Sequence, residues 1–334
     1  MLNAILAGLS PMRFLSIILF ALLYADTKAA EPVLVKAWGE RGKEAGEFSS
    51  PIGLAFNERD ELFVSDVNNA RVQRFSADGK FLSMFDLPRD TPDRKQCIVG
   101  GIAVGGEGLL YIAFMMQHRI GIYSQDGKKV REWGVKGAAA GEFHQPGGIL
   151  FRKDGTLLVC DQCNHRIQHF TSEGKHLGSF GSHGSKAGMF GGLTSKGSRF
   201  GGPHYIAQDA QGNLYTTEGV EGRVQRFAAD FAHTLSWGTK GQESGGFGSY
   251  RLGKMADTFG PIGIQVDRSN RVWVSSLNDR VQAYSPEGKY LFALDLSKEA
   301  LGFVHPHAMA VDSKGFFYVA DSGNQRILKF EMPK

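Results

Sequence analysis

The chain has 334 residues, and 44 of them are glycine, nearly twice the usual share of about 7%. Proline stays at 11, no strict Gly-X-Y period runs through the chain, and 42% of residues are hydrophobic, which excludes a collagen-like or disordered chain. The net charge of +4 is too mild to signal nucleic acid by itself, and three cysteines do not make a disulfide framework.

Long helices tolerate so much glycine poorly, because each interior Gly costs roughly 1 kcal/mol relative to Ala. The excess therefore predicts many turns between short strands. An all-β chain of this length can form a single unit.

In chain order, residues 1–30 read first as an address. Arg13 precedes an apolar run over 14–24, and the small-residue stretch Thr27-Lys28-Ala29-Ala30 follows. That run has the length of a signal-peptide core and is too short to span a bilayer. Cleavage predicts a secreted or periplasmic protein with no stable membrane span. A retained leader would anchor the chain to a membrane. Met12 offers an alternative start. The fold is then expected in 31–334.

A lone strand, Val33-Leu34-Val35-Lys36-Ala37-Trp38-Gly39, comes next. A repeat follows it, built around the string Arg-apolar-x-x-aromatic. The string begins at Arg71, Arg119, Arg166, Arg223, Arg280 and Arg326, with spacings of 48, 47, 57, 57 and 46 residues. Two apolar strands precede each Arg, as Pro51-Ile52-Gly53-Leu54-Ala55 and Leu62-Phe63-Val64-Ser65-Asp66 precede Arg71. A turn such as Ala77-Asp78-Gly79-Lys80 and a fourth strand follow, often ending in Trp-Gly. Four short strands per repeat make one propeller blade. The prediction is an all-β, six-bladed β-propeller of four-stranded antiparallel blades. The last repeat stops after its third strand, so the N-terminal strand is expected to complete it and close the ring.

In such a ring the loops between strands two and three share a face with those joining successive blades. The joining loops at 181–202 and 238–260 each carry about ten extra residues. Binding residues concentrate on such loops, although a neutral insertion would look the same. The first long loop contains Lys186, Lys196 and Arg199, a mild attraction for an anionic partner.

Asp66, Asp161, Glu218 and Asp321 stand five residues before their arginines and are expected to tie to them. Arg119 and Arg280 have Phe114 and Ser276 instead, which makes them candidates for ligand binding. His204 and His307 each follow Pro at the start of an innermost strand, at the mouth of the central channel. Cys160 and Cys163 read as a small core residue and its loop neighbour, or as an oxidisable pair leaving Cys97 free.

The last repeat reads Pro306-His307-Ala308-Met309-Ala310-Val311-Asp312, Tyr318-Val319-Ala320-Asp321, Asn324-Gln325-Arg326-Ile327. The third carries Asp161, Asn164, His165 and Arg166. These motifs resemble the NHL repeat family, over residues 33–330. The resemblance implies the propeller and leaves the activity open, since this fold hosts many functions. Members include sensor domains, cell-surface modules and RNA binders. A leader and a mildly charged chain argue against nucleic acid here. The first expectation is an exported binding module for a protein, peptide or glycan, without a cofactor.

The alternative is a lyase or hydrolase at the channel mouth. The family's peptidyl-hydroxyglycine alpha-amidating lyase holds zinc with three histidines from alternate blades, and His204 and His307 match two of those positions. The third falls on Gly100. Zinc would then need Cys97, His118 or His305 to complete a catalytic set of three ligands. Oligomeric state is not legible in the sequence.

Overall fold

The computed structural model describes residues 31–191, 201–248, 260–276, 278–296, 299 and 301–333. The expected leader, residues 1–30, lies outside them. Among the described residues, no helix is long and apolar enough to cross a membrane.

Six four-stranded antiparallel sheets form a ring of blades. Consecutive strands pair in order within 51–86, 99–133, 146–180, 206–237 and 261–293. The sixth blade pairs Pro306–Val311, Phe317–Asp321 and Arg326–Glu331 with the N-terminal strand Val33–Trp38. Val33 stands opposite Glu331 and Trp38 opposite Ile327. The ring thus closes as the orphan strand predicts, and no blade keeps an unpaired third strand.

Outer strands such as Phe81–Asp86 and His176–Phe180 alternate as half-buried sheets require, but the second strand of each blade is almost wholly buried, as in Leu157–Asp161. It is covered on both sides by neighbouring blades. The hydrophobic core therefore lies between blades. One cluster joins Phe63 and Val72 of the first blade to Ile112 and Tyr123 of the second. The Trp-Gly endings belong to the same contacts. Trp38 packs against Phe75 of the first blade at 6.2 Å, Trp133 against Phe170 at 5.9 Å, and Trp237 against Tyr284 at 6.1 Å. Gly79 turns beneath Trp38 at φ +71°, where a Cβ would lie 2.7 Å from the indole. That hairpin needs glycine for its backbone and for its neighbour.

Aspartates close the opposite face. Asp312 accepts the N–H groups of Lys314 and Phe316, and the Tyr318 hydroxyl at 2.8 Å. Asp209 and Asp267 do the same for Tyr215 and Trp273. Each holds a hairpin turn and buries an aromatic with its polar tip satisfied.

Candidate functional site

The loop face is built by the repeated arginines. Arg71 Nε reaches Asp66 Oδ2 at 2.9 Å, and its terminal nitrogens donate to the carbonyls of Lys43, Glu44 and Glu47. Arg166–Asp161, Arg223–Glu218 and Arg326–Asp321 repeat the pairing at 2.9, 2.8 and 2.7 Å. The expected ties are therefore present, and they bind each blade's inner loop to the joining loop beside it. A short 3-10 turn such as Val67–Asn69 carries the chain from acid to arginine.

A second clamp was not anticipated. Gln73 donates to Glu47 O at 2.7 Å and accepts from Gly46 N at 2.9 Å. Gln168, Gln225 and Gln282 clamp their own loops in the same way. The signal was inside the repeat string, two residues after Arg. Between the clamps sits a buried phenylalanine, Phe48, Phe143, Phe190 or Phe247.

These clamps narrow the two long loops. Residues 181–191 and 238–248 follow the ordinary pattern through Phe190 and Phe247. The extra length therefore falls after those residues. Lys196 and Arg199 lie there, outside the described residues. Lys186 sits in the ordinary part, where its carbonyl accepts from Arg223.

At the axis of the loop face lies a cavity of about 270 Å³. It is ringed by one repeated position, which supplies Ile52, Gly100, His204, Ile262 and His307. The joining loops add Ile98 and the amides of Gln96 and Gln145, and the loops between strands two and three add Met115, Met116 and the Gln162 amide. Among the described residues, no Asp, Glu, Lys or Arg lines it. Burial holds His307 down to about 4, helped by His305 and His204. Its ring is therefore neutral at pH 7, and its buried Nδ1 has no hydrogen-bond partner. The structure thus brings His204 and His307 into one cavity, as their shared repeat position suggests.

Among the described residues, this cavity offers zinc no third ligand beside His204 and His307. Gly100 occupies the third position, and a Cβ there would lie 2.4 Å from the Pro146 carbonyl oxygen. Among the described residues, no group of three or more His, Cys, Asp or Glu side chains is placed to hold a metal. Cys97 is fully buried and its thiol is pushed up by burial, so it offers no ready thiolate. His118 is turned to another task, with Nδ1 accepting the Gln145 N–H at 3.1 Å.

Arg119 and Arg280 are both engaged. Arg119 pairs with Glu132 on the adjacent strand at 3.1 Å and bonds Gln117. Arg280 donates to Glu243 O at 3.0 Å, which makes it a loop tie without an acid. Cys160 is buried in the core and Cys163 bonds the Gln145 side-chain oxygen at 3.1 Å. Among the described residues, no disulfide joins any of the three cysteines.

Residues 48–75, 143–170 and 303–330 each match the model of the NHL repeat. This chain carries NHL repeats. Each matched segment runs from the buried phenylalanine of a joining loop to the last aromatic of the third strand. The Drosophila melanogaster protein brain tumor is 30% identical over 145 residues, covering 43% of this chain and 13% of its own length. Human E3 ubiquitin-protein ligase TRIM32 is 24% identical over 212 residues, covering 59% of this chain and 28% of its own. The chain thus spans a small part of the length of these curated relatives. A gluconolactonase from Xanthomonas campestris superposes with a TM-score of 0.58 at 15% identity, over 91% of this chain and 98% of that one. At that identity the likeness is one of fold.

Proposed function

We propose that this NHL propeller is an exported binding module whose loop face receives a protein or peptide. The observation that carries this reading is the cavity at the axis of that face, whose described lining is mostly apolar and carries no Asp, Glu, Lys or Arg. Pockets with an apolar wall and a few fixed polar groups are the usual form of a binding site. The Arg and Gln clamps make the rim rigid, so little ordering entropy is lost when a partner settles on it. A glycan would present mainly hydroxyls to this wall, so a polypeptide suits it better. Export rests on the apolar run at 14–24.

Random-peptide display against the full chain tests this reading. Selected peptides should lose binding to Met116→Glu, on the loop face, and keep binding to Lys153→Glu, on the opposite face. The reverse pattern overturns the reading.

One observation favours a second reading, an enzyme at the same mouth: His204 and His307 share the cavity. Metal analysis of the purified protein separates the two. Stoichiometric zinc or copper that disappears in a His204→Ala/His307→Ala variant would replace the binding reading.

A further inference from the structure

We propose that the loop-face cavity anchors one uncharged, apolar side chain of the bound peptide, and that Tyr205 sets its depth. This inference rests on the binding-module reading.

The wall decides the chemistry of the guest. Ile52, Ile98, Val99 and Ile262 are fixed aliphatic surface, and Met115 and Met116 add adaptable thioethers. A carboxylate, phosphate or ammonium group entering this space would shed its water and find no opposite charge among the described lining residues. A neutral apolar group loses nothing of that kind. The His307 Nδ1 and the glutamine amides offer hydrogen bonds to a neutral polar tip. The cavity, at about 270 Å³, is sized for one side chain and not for a folded segment.

Tyr205 decides where the guest stops. The matching position in the other blades holds Gly53, Gly101, Gly148, Gly263 or Ala308. Small residues there let the inner strands crowd the axis; a Cβ on Gly148 would meet the Tyr205 Cα at 2.7 Å. Only the fourth blade supplies a large side chain. Tyr205 packs against the cluster of Leu54, Ala308 and Ala310, from the first and sixth blades. It lines both the loop-face cavity and a second cavity along the inner strands, so it stands between them. The ring therefore has a floor, contributed by a single residue.

The test uses the full chain labelled with ¹³C-methyl methionine. Met115 and Met116 are assigned with Met→Leu variants. N-acetyl-phenylalanine amide and N-acetyl-leucine amide should shift both methyl signals, at the millimolar strength expected of one small group. The aspartate and lysine analogues should not. N-acetyl-4-phenyl-phenylalanine amide is too long for the floored cavity. It should bind at least about tenfold more weakly than the phenylalanine amide to the natural chain, and Tyr205→Ala should remove that difference. Equal shifts from charged and apolar amides overturn the proposal, as does the absence of any shift. An unchanged length preference in Tyr205→Ala overturns the role of the floor. Tyr205→Leu, which keeps an apolar plug of smaller reach, gives the same comparison if the alanine variant does not fold. Displayed peptides that bind the loop face without moving Met115 and Met116 overturn the anchor and leave the module standing. Amide binding without any loop-face peptide does the opposite.

Discussion

Arg71 Nε lies 2.9 Å from Asp66 Oδ2, and both residues are buried. Burial alone raises the Asp66 carboxyl; Asn69, the Ser49 N–H and Arg71 pull it back toward the ionised form. The carboxylate thus persists only because these partners surround it. Arg71→Met should strand a buried charge and cost about 3–5 kcal/mol. Adding Asp66→Asn to the same chain should recover part of that loss. Urea unfolding of the two variants measures the difference. Equal losses would mean that the ion pair is not what couples the loop at 39–50 to its blade.

A different pair joins the ends of the ring. Lys329 Nζ, nearly buried, bonds Asp78 Oδ1 at 2.8 Å and Ala77 O at 3.0 Å across the seam between the sixth and first blades. It also lies 4.3 Å from the centre of the Phe316 ring. Asp78 is exposed, so the charge pair itself is worth little. The carbonyl bond and the ring contact carry more, because water does not compete there. Lys329→Met should lower stability by about 1–3 kcal/mol, and Asp78→Asn by under about 1 kcal/mol. Thermal unfolding of the two variants checks the order; Asp78→Asn as the costlier change would refute it.

How much of this was legible in the sequence depends on the distance over which each feature is written. The arginine–acid ties lie five residues apart, so a six-fold repeat displays them directly. Ring closure was legible because the last repeat lacks a strand and 33–39 supplies one. The Arg119–Glu132 pair joins adjacent strands, and it needed a register that the sequence does not state. Tyr205 was written in the sequence as an exception to Gly or Ala. Its meaning depends on six strands converging at the axis, and only the structure shows that convergence. The extra residues of the two long loops drew attention by their length, while the cavity is lined by residues of ordinary spacing.

Two partly buried histidines held neutral give the fold a pH dependence of definite sign. His118 and His307 are both held down to about 4 from an ordinary 6.5, in each case mainly by burial. Their folded values lie below their unfolded values. The unfolded chain therefore binds more protons between those limits, and stability falls as pH drops from 6.5 toward 4. Above 6.5 their contribution is complete. Asp66, Asp161 and Glu218 are raised by burial and act in the opposite sense at the acid end. Comparing variants cancels them. His118→Gln/His307→Gln should flatten the slope of unfolding free energy against pH in this window by up to about one proton per histidine. An unchanged slope would mean that neither ring is held neutral by the fold.

The third position of the histidine set offers the last test, because its vacancy is a matter of packing. Gly100 lies against the next blade, where an added Cβ would stand 2.4 Å from the Pro146 carbonyl oxygen and 2.7 Å from the Gly147 Cα. Both neighbours are backbone and cannot rotate away. Gly100→His should therefore destabilise the ring by about 1–3 kcal/mol through overpacking. It should not create a stoichiometric zinc site, although it nominally restores the lyase-like triad with His204 and His307. Melting temperature with and without added zinc, together with metal content after gel filtration, reads both effects. A Gly100→His chain that folds normally and retains one zinc per molecule would show that the axis has room for the missing ligand. The cavity would then be a lyase-like metal centre lacking one side chain, and the anchor-pocket reading would lose its main support.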